Sequence, residues 1–437
     1  MRKAAAAARA AAGKERKREA ATSKKVAAEQ AEGGRRRRRV GVDVVSAPKA
    51  CGVTTMSLLL FLFGNGEASP PALRSWVEPV FEVNTSKGVV YGYGTYGCTR
   101  LNDSSTCQTN HTVLPHSGGL HRGILTLDLF MPVARAAGPA APTLKPAMVL
   151  MHGGSYVNGA SNSDNMPHSA AWFAARGWVT ASINYRVRGQ AGLIPRGYPS
   201  GMGYTPAFTH HAVNGTSIKY GWLPSFSMIY PAVRDAKAAV RWLRANAPAL
   251  GVDPRAIVAY GSSAGGCSAV ALGTNSEDDF KADLQPDVDP TLPSTHPNVS
   301  SSVAAVVSHW GATHGIEALE QHDNTSRVTS SFAPTVAFHG LSDYAVSPRE
   351  EQSLCARLAA VGVPCEYHGL SGYGHDPTFA CKCCAANCTK TATLDCSGNA
   401  FERVRDGCEL RLAASNRTLD EQALVFLASH IASLALT

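Results

Sequence analysis

The 437-residue sequence has no internal repeat at a period of about 20 to 50 residues, which excludes solenoid, propeller and array architectures. It also lacks an apolar run of the length a bilayer requires, about 20 residues. The nearest approach, Val53 to Phe63, is too short to span and suits the apolar centre of a signal peptide, with small residues at Gly66 to Ser69 for cleavage nearby. A basic excess is missing from the body of the chain. The formal charge of +8 belongs to residues 1–50, which carry 15 Lys and Arg against 5 Asp and Glu, whereas the remaining 387 residues carry 26 against 28. The body of the chain is nearly neutral, so its net charge offers no invitation to nucleic acid.

A basic, alanine-rich leader is present, from Met1 to about Lys49, with the run Arg35 to Arg39 and no apolar periodicity. Such a segment is expected to be disordered. Three explanations stay open: organelle targeting, an RNA-contacting arm, and a start assigned too early, because Met56 opens the apolar stretch Met56 to Phe63. The expected organisation is a leader over 1–55, a signal-peptide-like segment over 56–68, and one catalytic-sized domain over 69–437.

Two features point to the secretory route. Eight N-x-[S/T] sequons occur, at Asn84, Asn102, Asn110, Asn214, Asn298, Asn324, Asn387 and Asn416. Twelve cysteines occur, six of them between Cys381 and Cys408. Cys51 precedes the expected cleavage point, and Cys267 reads as a free packing residue in a buried helix. Cys98 with Cys107 and Cys355 with Cys365 are near enough for local bridges, and the six in the tail allow 15 pairings. Zinc competes for Cys381, Cys383, Cys384 and Cys388. A repeated C-x2-C or a histidine pair is missing, so disulfides are the preferred reading.

Along the chain, Val89 to Tyr96 and Gly123 to Met131 alternate in the manner of antiparallel strands. Ala147 to Met151 is a continuous apolar run, the mark of a strand covered on both faces. Short, largely apolar runs recur at Trp178 to Ile183, Ala256 to Tyr260, Val303 to Val307 and Pro334 to Phe338, and Cys365 to His368 reads as a further strand. Helices are expected over Ala170 to Arg176, Tyr230 to Ala247, from Ser263, over Glu350 to Val361 and over Leu419 to Ala435. Pro/Asp-rich loop chemistry runs from Asp278 to Pro297, and Arg186 to Phe226 reads as a surface insertion or lid. Strands alternating with helices predict a mostly parallel α/β sheet covered on both faces.

Candidate functional groups stand just beyond the carboxyl ends of predicted strands, the edge at which open α/β sheets bind ligands. The sequence Gly261-Ser262-Ser263-Ala264-Gly265 places a serine on a turn too sharp for side chains two places either side. His152-Gly153-Gly154-Ser155 follows a buried strand and offers backbone N–H groups to an anion. His339-Gly340-Leu341-Ser342-Asp343 and Gly374-His375 follow two later strands. The order Ser263, Asp343, His375 is the triad order of one architecture.

With these motifs the chain resembles the α/β-hydrolase fold esterases, in particular the H-G-G oxyanion-loop branch that includes hormone-sensitive-lipase-like and BD-FAE feruloyl-esterase-like enzymes. The resemblance runs from about Leu125 to His430. It takes in Ala147 to Gly154, Ser182 to Arg186, Tyr230-Pro231 through Asp235 to Trp242, and Gly251-Val252-Asp253-Pro254 before the serine. Three departures stand out: Ser155 where many members have a third glycine, the insertion at 186–226, and the Cys-rich segment at 381–408.

The resemblance implies the α/β-hydrolase fold and a Ser263, Asp343, His375 triad, with an oxyanion hole from the N–H groups of Gly153 or Gly154 together with Ala264. It implies ester cleavage through an acyl-enzyme with no cofactor and no metal, a small-molecule ester as substrate, and neither nucleic acid nor a membrane span as partner; the oligomeric state stays open. A peptidase or amidase on the same machinery remains the alternative within the class, and a non-catalytic binding protein on a hydrolase scaffold the alternative outside it. His152 is expected to hold its loop by hydrogen bonding. His210, His211, His314 and His339 are read as structural or surface residues, and Asp235 and Asp253 as packing and turn residues.

Overall fold

The computed structural model describes residues 78–97, 113–115, 120–136, 144–187, 190, 209–211, 217–219, 226–281, 291–375 and 410–431. The leader, the signal-like segment, the Cys98–Cys107 bridge, the Cys-rich insertion and most of the expected lid lie outside them. So do the sequons at Asn102, Asn110, Asn214 and Asn387.

The described strands are β1 (Phe81–Gly97), β2 (Val113–Pro115), β3 (Leu120–Ala134), β4 (Lys145–Met151), β5 (Val179–Ile183), β6 (Thr209–His211), β7 (Ser217–Lys219), β8 (Val252–Ser262), β9 (Ala305–His309), β10 (Thr335–Gly340) and β11 (Cys365–Leu370). Described helices are α1 (Met166–Ala174), α2 (Phe226–Ala245), α3 (Ala247–Leu250), α4 (Ala264–Gly273), α5 (His314–Asp323), α6 (Pro348–Ala360) and α7 (Leu419–His430). One sheet runs β1-β3-β5-β4-β8-β9-β10-β11, with β2 paired to β3. β3 runs antiparallel to both its neighbours, β1 and β5, and every pair from β5 across to β11 is parallel. This is the α/β-hydrolase fold.

The period-2 geometry of a strand explains the two cores. Ala147, Val149 and Met151 of β4 point to one face, among Val233, Ala236 and Val240 of α2 and Val270 of α4. Met148 and Leu150 point to the other, among Phe173, Trp178, Phe426 and Leu427. All five β4 side chains are fully buried, so the continuous apolar run needed no polar alternation. Burying each such large side chain contributes about 1.5 to 3 kcal/mol.

Several boundaries differ from the sequence expectation. α1 lies over Met166–Ala174, four residues earlier at its start, with Pro167 tolerated in its first turn. α2 begins at Phe226, and the helix breaks at Asn246 before the short α3. α7 stops at His430, where Ile431 is extended. Within the 186–226 stretch the described residues include a two-stranded ribbon, β6 against β7. A helix that the sequence reading did not assign, α5, follows β9. The Cys355–Cys365 disulfide is present and ties α6 to the start of β11, and Cys267 is a free, buried thiol.

Candidate active site

Ser263 stands between β8 and α4 with φ 53° and ψ −117°, a conformation that non-glycine residues rarely adopt. Its N–H donates to the carbonyl of His309 at 2.9 Å, which fixes the elbow to the end of β9. Gly265 is demanded by close approach: a Cβ there would lie 2.0 Å from the carbonyl oxygen of Met151 and 2.6 Å from that of His152. The helix bearing the serine is thus pressed against the strand that carries the His152-Gly153-Gly154 loop.

Asp343 follows β10 and His375 follows β11, and backbone bonds bring the two loops together. Ser342 N–H donates to Tyr373 O at 2.9 Å, and Leu341 N–H to Leu370 O at 3.0 Å. Gly340 belongs to this contact, because a Cβ on it would stand 2.2 Å from Gly374 O.

The three loops converge. The Ser263 hydroxyl donates to His375 Nε2 at 2.9 Å, and Nδ1–H of the same ring donates to Asp343 Oδ2 at 2.7 Å. Ser263 is half-buried and the His375 side chain is 19% exposed, so both can be reached from outside, whereas the Asp343 side chain is fully buried. Asp343 Oδ1 accepts N–H groups from Ala345 at 2.8 Å and Val346 at 2.9 Å. Burial alone would raise this carboxyl. Hydrogen bonds from His339, His375 and the backbone outweigh burial and hold it down to about 2.

Expected oxyanion donors divide into two kinds. Ala264 opens α4, whose first N–H groups point away from the helix toward any anion at its N-terminus. Gly154 (φ 101°) and Ala264 have no protein acceptor for their N–H groups among the described residues. Gly153 differs, because its N–H donates to the Asp164 carboxylate. Of the two glycine donors expected from the loop, one is therefore already engaged. Asp164 Oδ2 also accepts from the Ser262 hydroxyl at 3.1 Å, so a single carboxylate links the glycine loop to the residue before Ser263.

His152 holds its loop as expected. Its Nδ1–H donates to Gly153 O at 2.7 Å, and its ring stacks on Tyr185 at 4.1 Å between centroids. Burial lowers its imidazolium to about 4, so the ring is neutral at physiological pH. Asp235 pairs with buried Arg186 at 2.7 Å and Asp253 with Arg255 at 3.1 Å. His314 bonds Glu350 at 3.2 Å. The side chains of His210 and His211 fall outside the described residues.

Two residues at the site escaped the sequence reading. Asp164 lies in Ser161-Asn162-Ser163-Asp164-Asn165, where nothing in the spacing marks it. Glu351 is fully buried on α6 and bonds His339 Nδ1 at 2.7 Å. Glu351 did leave a signal, since it shares one helical face with Leu354 and Leu358, and a carboxylate in an apolar stripe needs a buried partner. Among the described residues no group of His, Cys, Asp and Glu side chains has the arrangement of a metal site.

Residues 215–331 match the family model of BD-FAE. No curated protein matches the sequence. Solved structures similar to the chain include esterase 2 of the planctomycete Thermogutta terrifontis. Its propionate-bound form is 22% identical, with 62% of this chain and 86% of that chain covered, at a TM-score of 0.39. The same esterase phosphorylated by paraoxon is 22% identical over 63% and 87% of the two chains, at 0.40. Its form phosphonylated by cyclosarin is 23% identical over 63% and 88%, at 0.40.

Proposed function

We propose that the chain is a serine hydrolase that cleaves small carboxylic esters through an acyl-enzyme on Ser263. The observation that carries the reading is the unbroken hydrogen-bonded line from the Ser263 hydroxyl through His375 to Asp343, reachable at the serine end and buried at the carboxylate end.

A neutral hydroxyl is a weak nucleophile, so His375 Nε2 takes the serine proton as Oγ attacks the substrate carbonyl carbon. Asp343 fixes the tautomer that leaves Nε2 free to accept, and it stabilises the imidazolium that forms. Negative charge grows on the carbonyl oxygen, and the N–H groups of Ala264 and Gly154 are the donors we assign to it. Losing one such donor costs about 3 to 4 kcal/mol in the barrier. Collapse of the tetrahedral intermediate breaks the ester C–O bond, and the departing alcohol takes the proton from His375. Water then repeats the sequence on the acyl-enzyme. The reaction as drawn needs neither metal nor cofactor.

We assign the protein to the secretory route, with the segment at 56–68 as the signal and 69–437 as the catalytic domain. Support comes from four sequon asparagines, Asn84, Asn298, Asn324 and Asn416, all exposed, and from a disulfide, a bond of oxidising compartments.

The test is hydrolysis of p-nitrophenyl acetate and butyrate by the purified full chain and by Ser263→Ala. A loss of at least about a thousandfold in the variant is expected. Equal rates would remove Ser263 from the reaction.

A further inference from the structure

Behind the line from Ser263 to Asp343, a second histidine is buried between two carboxylates. His339 Nε2 lies 3.1 Å from Asp343 Oδ2 and 3.2 Å from Val346 O, and its Nδ1 lies 2.7 Å from Glu351 Oε2. None of the three side chains has any exposure. Glu351 Oε1 accepts the Gly311 N–H at 3.1 Å and the Ser308 hydroxyl. Asp343 Oδ2 thus faces two imidazoles at once, His339 on the inside and His375 on the outside.

Both acceptors at Nε2 require a proton there. One position stays undetermined by donor counting alone, the proton shared between Glu351 Oε2 and His339 Nδ1. On Glu351 it would leave two neutral groups beside the Asp343 carboxylate and give the two donors at Oε1 only a neutral carbonyl to meet. On His339 it makes a cation with a carboxylate on each side, and the Glu351 charge is met by two protein donors as well.

We propose that His339 is a permanently protonated imidazolium and a positioning residue, one that keeps Asp343 ionised and aimed at His375. This rests on the reading of His375 as the general base. Burial opposes charge on His339, yet Glu351 and Asp343 outweigh it and raise the ring to about 10. Burial raises Glu351 as well, while His339, Ser308 and Gly311 draw it down. Other titratable groups packed around the pair are Tyr367 of β11, pushed up to about 12 by burial and therefore neutral, and the His314–Glu350 pair between α5 and α6.

Glu351→Gln tells the two proton positions apart. With the proton on His339 the substitution removes a buried negative charge beside the His339–Asp343 pair, and the acidic limb of kcat/KM moves along the pH axis by about one unit. With the proton on Glu351, a neutral amide would replace a neutral acid and the limb would stay where it was.

The direct experiment uses the full parent chain labelled with 15N-histidine, the His339 resonances being assigned by comparison with His339→Gln. We expect both ring nitrogens of His339 to give protonated-nitrogen shifts, unchanged from pH 6 to pH 8.5. A single protonated nitrogen at pH 7.5 overturns the proposal, as does an acidic limb in Glu351→Gln that is unmoved. The spectrum reads protonation without any turnover, so a protein inert toward esters would sink the esterase reading while the protonation of His339 is still read on its own. It also needs no variant of Glu351 to fold.

Discussion

Asp343→Asn is the substitution whose outcome the geometry fixes most tightly. Oδ1 accepts two backbone N–H groups, from Ala345 and Val346, so an asparagine must place its carbonyl oxygen there; an NH2 would face two donors. Its NH2 is then forced into the Oδ2 position, opposite His375 Nδ1 and His339 Nε2. His375 can accept that donor only with Nδ1 unprotonated, and the neutral ring then carries its proton on Nε2, against Ser263. The base is held in the one tautomer that cannot take the serine proton. The same inversion in a Ser-His-Asp triad costs roughly 10⁴-fold in kcat, equivalent to about 5.5 kcal/mol of barrier. The assay is p-nitrophenyl butyrate hydrolysis at pH 7.5, with a thermal melt to verify folding. A folded Asp343→Asn within tenfold of the parent would refute the reasoning.

Asp164→Ala removes the carboxylate joining Gly153 N–H to the Ser262 hydroxyl; kcat should fall about 10- to 100-fold through loss of loop positioning, with KM and melting temperature little changed, as steady-state kinetics and calorimetry will show. Gly265→Ala puts a methyl against the Met151 and His152 carbonyls and should cost about 3 kcal/mol or more, read as a lower urea midpoint at an unchanged slope. Stability should be lost on acidification below pH 6.5: His152 and His309 are held neutral by burial, at about 4 and about 3 in the folded protein, so the unfolded chain binds protons first and the melting temperature falls between pH 6.5 and 3. An increase in melting temperature over that range would contradict it.

That Ser263, Asp343 and His375 would meet was legible in the sequence because each is marked by local chemistry. Ser263 needs glycines around it, Asp343 follows a short buried strand and a glycine, and His375 follows an edge strand and a glycine. The central parallel strands were legible for a similar reason, since strands buried on both faces are mostly apolar or small. Residues that act through distant partners were not. Asp164 meets Gly153 and Ser262 through a fold no spacing records. His339 was read as structural, as most single histidines are, because the Glu351 beside it lies a full loop and helix turn away. Helix α5 has only Ile316 and Leu319 as large buried side chains, too few for a periodic stripe. α2 starts earlier than its apolar pattern implied, since Phe226 and Met228 lie in a stretch dominated by Gly, Pro and Tyr.

The central claim is that the Ser263 oxygen is a nucleophile activated by His375, and covalent capture tests it most directly. The full chain incubated with a fluorophosphonate probe should gain one adduct by intact mass, with the modified peptide carrying it on Ser263, and neither Ser263→Ala nor His375→Ala should label at a comparable rate. Labelling elsewhere, or a parent chain as inert as the two variants, would contradict the account.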